Sequence, residues 1–516
     1  MKHLIKSVFG LLFTVFFTQL THAAPAFPGV TEIIQPNGAV VEARIRGDEW
    51  NNWIETVDGY SIAENESGYW EYVTSFTRQT PNLSGVYANR IPPLHLQKGV
   101  VPTLRKITRR STFRTDSPTQ RRNPGGTQKT SVVFVLAEFT DRKGTYSQAS
   151  FAKFLKNNIA DYFKKASNGR VKITPAKETH GTKNNGVIGW INLKYDHPNF
   201  GKSGGNRAWI LTRKAMIAAD KYIDYEYYDK NKDGYTDADE LAVMVIVAGY
   251  EAAYTTSKPN IWAHAWEVFS PPKLDNVRVG ARRGNVMGYS MFGEIQGDHQ
   301  ATMGVMVHEL GHHIFGLPDL YDIDGSSGGI GIWGVMSSGT WGQKPSDKYA
   351  GETPNFPSAW VRHTMGWVDT ITVKRGTKTF VPIGLDFTGK KQVYKFETPD
   401  PLEYFLVEGR GSLSYDKGMH QWLGANAFGG GLYWHIDENQ TNNADDAHRL
   451  VDLEEADGTE NSGELSDFWG IGFGPSVFGP GATAPNSKRY NGSASGLCIK
   501  KPIIGTKSGK ATFGCY

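Results

Sequence analysis

The chain has 516 residues, 12 % of them aromatic, with 59 glycines and a formal net charge of +4. That length has room for roughly three domains, and the composition suits a globular protein rich in strands and turns. A charge so small for the size offers no footing for nucleic acid.

The N-terminus reads as an export signal. Lys2 and Lys6 form the basic region, Val8 to Phe17 the apolar core, and Thr21-His22-Ala23 the small-residue cleavage site. The apolar run is shorter than the ~20 residues of a membrane helix, and no later run is long enough. Residues 1–23 are therefore expected to be a signal peptide, and the mature chain to be soluble, either secreted or periplasmic. In that oxidising setting Cys498 and Cys515, the two cysteines, are expected to pair and tie down the last strand region.

Residues 24–102 form a small strand-rich unit, with Trp50, Trp53, Tyr69 and Trp70 in short alternating runs and Asp58-Gly59 as a turn. Residues 103–129 follow as a basic flexible linker. Arg105, Lys106, Arg109, Arg110, Arg114, Arg121 and Arg122 stand there against one acid, Asp116. It is either a solvated tether or an exposed processing site, and a chain that must stay inactive until export favours processing.

Residues 130–368 alternate strands and helices. Ser131 to Ala137 is a buried strand, Ser147 to Lys165 and Arg207 to Tyr227 are helices, and Leu241 to Gly249 and Tyr289 to Glu294 are strands. A helix over Phe356 to Gly366 closes an α/β domain. From Ile371 helix signals vanish, so residues 369–516 are expected to be a β-rich C-terminal domain.

Two stretches carry metal chemistry. In the run from Asp229 to Glu240, Asp229, Asn231 and Asp233 supply alternating oxygens and Gly234 permits a sharp turn. Tyr235 offers its carbonyl, Asp237 a water-mediated contact, and Glu240 a bidentate carboxylate. This pattern predicts calcium, in a single loop because a strand follows it; the plainer reading is an acidic surface turn. Asp322-Ile323-Asp324-Gly325 and Asp452 to Asp457 are weaker acidic clusters that read as ordinary loops.

The second stretch is Val307-His308-Glu309-Leu310-Gly311-His312. His308 and His312, four apart on a helix, present both rings on one face to one zinc ion. Glu309 beside them is placed to take a proton from a zinc-bound water. Met303, Met306, Val307, Leu310 and Ile314 recur at helical spacing, and Gly316 with Pro318 stops the helix. A structural zinc would have four protein ligands and no adjacent base.

With these residues the chain resembles the immune-inhibitor-A-like family of secreted bacterial zinc metallopeptidases, which are metzincin-like zincins. The resemblance runs through Gly47-Asp48-Glu49 and Trp53 to Tyr60, the calcium-type loop, and Ile261-Trp262-Ala263-His264. It continues in Gly316-Leu317-Pro318-Asp319-Leu320-Tyr321-Asp322, Val335 to Trp341, Ala359 to Trp367, Gly431 to Asp437, and Asp452 to Gly458. It implies a zincin-type catalytic domain preceded by a β-rich prodomain, and a zymogen. It also implies Asp319 as third zinc ligand and Met336 in a methionine turn beneath the metal. Glu352 is the rival third ligand. Three residues, rather than the commoner two, separate His312 from Gly316, which would rotate the helix end by ~100° unless the last turn absorbs it.

The expected function is a secreted zinc-dependent endopeptidase, most simply a monomer, that hydrolyses extracellular proteins and peptides with Glu309 as general base. A secreted, calcium-stabilised binding protein is the rival of another class; the intact Glu309 argues against it.

Overall fold

The computed structural model describes residues 22–48, 51–102, 127–199, 205–374, 378–382, 393–460, 463–470, 477–481, 485–500 and 508–513. The export signal up to Thr21, the basic linker over 103–126, and Cys515 with its expected pairing lie outside the described residues. No described helix is long and apolar enough to cross a membrane.

The chain is mixed α/β, with many strands and few helices. Its central sheet runs in the order His22–Ala23, His264–Trp266, Tyr289–Gln296, Leu241–Glu251, Gln128–Glu138, Val187–Asn192. Gln128–Glu138, Leu241–Glu251 and Tyr289–Gln296 pair in parallel. Helices cover both faces of the first two, which explains their unbroken apolar runs. Alternate side chains feed separate cores. Phe134, Leu136, Met244 and Ile246 pack on the side of the helix Met303–Phe315. Val133, Val135, Val243 and Val245 pack on the side of Gly205–Ala219.

On one side the sheet reverses. His264–Trp266 runs antiparallel to Tyr289–Gln296, and His22–Ala23 runs antiparallel to His264–Trp266. A strand from the expected end of the signal peptide thus forms the sheet's edge.

The first expected helix starts where Ser147 accepts the Ser150 N–H, then runs through Gln148–Lys153, a π-helical stretch Phe154–Ile159, and Ala160–Ala166. The second is shorter than expected, ending at Ala219 in a single 3-10 turn. Ile223 and Tyr225 are both buried two residues apart, which is extended spacing, and the Asp275 carboxylate accepts the Tyr225 N–H. The helix near Phe356 begins only at Ala359. Pro357 disfavours helical backbone before it, and Ser358 accepts the Val361 N–H at 3.4 Å.

Residues 31–87 form a six-stranded antiparallel meander around Ile33, Val41, Ile62, Trp70 and Tyr72. C-terminal strands Thr370–Thr372, Val393–Glu397, Glu403–Gly411, Gly429–Asp437 and Val451–Leu453 make a five-stranded sheet. The largest core runs without a break from Ala24 and Ile45 through the central helices to Trp434 and Phe468. A buried ion network crosses the same boundary. Arg362 meets Glu408, and Arg410 meets Glu408 and Asp416 while donating to the carbonyls of Trp333 and Phe356.

Candidate metal centre

The helix Met303–Phe315 is buried along its whole length. Its first turn is anchored through Thr302, whose N–H and hydroxyl both donate to Gln296 Oε1 and whose hydroxyl also reaches the Ala350 carbonyl. Its end is set by Gly316 at φ +59°, where an added Cβ would sit 2.5 Å from the Asn285 carbonyl oxygen. Only glycine fits both the left-handed backbone and that close approach.

The extra residue before Gly316 is absorbed in this last turn. The Gly316 N–H donates to the His312 carbonyl, and the Leu317 N–H reaches back to Gly311 at 3.2 Å, a wider closure than a regular α-helical bond. The chain then doubles back, and Asp319 comes alongside the histidine pair. His308 Nε2 and His312 Nε2 are 3.0 Å apart, and Asp319 Oδ1 lies 3.2 and 3.1 Å from them. Among the described residues these three are the group of His, Cys, Asp or Glu side chains able to share one ion. Glu352 does not join them.

Both rings are oriented by backbone. His308 Nδ1 donates to the Val335 carbonyl at 2.7 Å and His312 Nδ1 to that of Leu317 at 2.6 Å. With the proton held at Nδ1, each Nε2 keeps its lone pair for a metal. Zinc–nitrogen and zinc–oxygen bonds of about 2.0–2.1 Å put the corners of a tetrahedral ligand set about 3.3 Å apart. Two imidazoles and a carboxylate at 3.0–3.2 Å fit a zinc ion.

Met336 lies under the helix. A Cβ on Gly311 would come within 2.7 Å of its sulfur, so the glycine between the two histidines is what lets the turn approach. The Met336 carbonyl accepts the Leu320 N–H at 2.8 Å, linking this turn to the strand of chain that delivers Asp319.

Residues 123–368 match the family model described as immune inhibitor A peptidase M6, catalytic domain. This region belongs to that family. The protein is accordingly a metallopeptidase, a hydrolase acting on peptide bonds of protein substrates. No curated protein matches the chain.

Within the peptidase region, two further buried histidines near the helix, His264 and His313, are neutral. Burial pushes His264 down to about 4 and His313 down to about 3. His264 bridges the Trp262 carbonyl and the Tyr289 hydroxyl, and His313 meets the Ser290 hydroxyl, so both brace the sheet. Glu309 is fully buried on the same helix, one residue from His308.

The loop from Asp229 to Glu240 is closed on itself. Asp229 accepts the N–H groups of Asp233 and Gly234, and Asn231 and Asp233 accept those two residues further on. Glu240 accepts from the backbone of Lys230, Asn231 and Asp237. Arg283 pairs with Asp233 at 2.7 Å and Asp237 at 3.3 Å, placing a guanidinium beside two of the expected calcium ligands.

A set of contacts not foreseen from sequence joins the N-terminal segment to the peptidase region. Trp262 donates to the Ala24 carbonyl, Trp341 to that of Pro25, and the Phe27 N–H to Ala253. The Phe27 ring packs against Tyr254 at 4.7 Å and Trp341 at 5.4 Å. The tryptophans in Ile261-Trp262-Ala263-His264 and Val335 to Trp341 were visible as motifs, but their partner lies more than 200 residues away.

Proposed function

We propose that the protein is a secreted, zinc-dependent endopeptidase of the zincin type, made as a zymogen. The observation that carries this reading is the convergence of His308 Nε2, His312 Nε2 and Asp319 Oδ1 within 3.2 Å on a buried helix end. Held by His308, His312 and Asp319, zinc would supply a Lewis acid that makes water acidic enough to react near neutral pH. The carbonyls of Val335 and Leu317 hold the two rings in the ligating tautomer. Glu309 takes the proton of the attacking water on its carboxylate and returns it to the leaving amine nitrogen. A substrate strand adds antiparallel to His264–Trp266, next to the helix.

Residues 24–102 act as the prodomain in this reading. The segment from Ala24 to Phe27, tied to Trp262, Trp341 and Ala253, holds this unit against the peptidase region, and cleavage within 103–129 begins its release. Removal of residues 1–23 on export leaves the anchors at Ala24, Pro25 and Phe27 in place. Calcium bound by the loop from Asp229 to Glu240 has a stabilising role, with Arg283 as its internal competitor.

Casein hydrolysis by processed protein, with chelator and with zinc restored, tests the reading. Activity should vanish with chelator and return with zinc. Glu309→Gln should lower the rate at least 1,000-fold while keeping its zinc; near-normal activity in that variant would rule out Glu309 as the base.

A further inference from the structure

The peptidase region grips the segment from Ala24 to Phe27 through main-chain atoms. Trp262 Nε1 donates to the Ala24 carbonyl at 3.0 Å and Trp341 Nε1 to the Pro25 carbonyl at 3.1 Å. The Phe27 N–H donates to the Ala253 carbonyl at 2.7 Å. Any extended peptide offers the same atoms. Side-chain recognition is added by the Phe27 ring, which fills a notch between Tyr254 and Trp341. We propose that Ala253, Tyr254, Trp262 and Trp341 form a peptide-binding subsite of the peptidase, one that takes an aromatic side chain of the substrate once residues 24–102 have left. This extends the zymogen reading, on which it rests.

Trp262 is 3 % exposed and Trp341 fully buried. A buried indole N–H needs an acceptor. The Ala24 and Pro25 carbonyls that serve these two donors depart with the prodomain. A bound substrate restores both bonds and returns a donor to the Ala253 carbonyl.

The notch selects a ring. Phe27 lies 4.7 Å from Tyr254 at an interplanar angle of 32°, and 5.4 Å from Trp341 at 71°. Both distances fall where aromatic pairs gain more than burial alone provides. The walls are braced without Phe27. Tyr254 and Trp341 are 5.8 Å apart, and Tyr254 stands edge-on to His299 at 5.6 Å. His299 is in turn stacked on Tyr349 at 3.5 Å.

The subsite lies close to the metal centre. The turn Ser338–Trp341 packs along the helix Met303–Phe315, where a Cβ on Gly304 would meet the Thr340 carbonyl oxygen at 1.9 Å. Gly304 precedes His308 by one turn, ~6 Å along the helix axis. An extended peptide covers that distance in about two residues. A side chain held in the notch therefore fixes the substrate a few residues from the bond to be cut.

The test measures binding, so that it does not depend on turnover. Processed protein, held inactive by a zinc-selective chelator, is titrated with the peptide Ala-Pro-Ala-Phe-Pro, the sequence of residues 24–28, and with the same peptide carrying alanine in place of phenylalanine. Loss of the ring should weaken binding on the order of tenfold. Tyr254→Ala should abolish that discrimination, and Tyr254→Phe, which keeps the ring, should retain it. Equal binding of the two peptides, binding of neither, or undiminished discrimination in Tyr254→Ala overturns the proposal. With zinc restored, the sites cut in casein should carry an aromatic residue at one fixed distance from the cleaved bond; cleavage without any such preference also overturns it. Protein that discriminates the peptides as expected yet cuts no casein would instead refute the zinc-endopeptidase reading.

Discussion

His308 and His312 are held less by each other than by two backbone carbonyls, those of Val335 and Leu317, at 2.7 and 2.6 Å. These fix the tautomer, and side-chain substitution cannot remove them without moving the chain. Gly311 is the exception that can be tested. In Gly311→Ala the methyl group would lie 2.7 Å from the Met336 sulfur. Overpacking of this kind costs about 1–3 kcal/mol, against a helix-propensity gain of up to about 1 kcal/mol for alanine. Thermal denaturation should therefore show a net loss of about 1 kcal/mol; a more stable variant would mean that Met336 does not press on the helix. At this scale the sequence was readable where chemistry follows from periodicity. A spacing of four residues puts two imidazoles on one helix face in any context. Asp319 was not readable in the same way, because its place depends on how the last turn closes around the extra residue, and that closure is made by backbone bonds at Gly316 and Leu317.

At the scale of elements, the central strands announced themselves because both faces are covered, so that Val132 to Ala137 and Leu241 to Ala248 are apolar throughout. The end of the helix at Ala219 did not, since Ile223, Tyr225 and Tyr228 continue an apolar run that serves extended chain and turns equally well. Nor did the ion network behind the methionine turn, whose members Arg362, Glu408 and Arg410 come from separate elements. Arg410 is fully buried, with Asp416 at 2.7 Å through Nε and the Trp333 carbonyl at 3.3 Å. Arg410→Met would leave Glu408 and Asp416 buried with fewer cations, a change that typically costs about 3–5 kcal/mol. Urea denaturation should show that loss together with reduced zinc retention, because the network supports Trp333 a few residues before Met336. An unchanged midpoint would show the network to be dispensable.

Across the whole molecule, the N-terminal unit and the C-terminal sheets are built onto the peptidase region rather than strung beside it. One apolar core includes Ala24, Ile45, Leu310, Trp341 and Trp434. Composition and turn signals located the β-rich units, but contacts across 200 residues or more leave no local trace. If the segment from Ala24 to Phe27 imposes latency, Phe27→Ala should loosen it. Losing the contacts of one partly buried aromatic ring is worth about 1–2 kcal/mol, so the unprocessed chain should gain roughly tenfold in peptidase activity. The fully processed enzyme should be unaffected, and equal latency in the variant would show that Phe27 does not hold the segment in place.

The most direct test of the account as a whole is the zinc content of the purified chain, measured by mass spectrometry alongside casein hydrolysis, for the unaltered protein, Asp319→Ala and Glu352→Ala. The account predicts one zinc per chain in the unaltered protein and in Glu352→Ala, with loss of both zinc and activity in Asp319→Ala. A full zinc equivalent with undiminished activity in Asp319→Ala would contradict it.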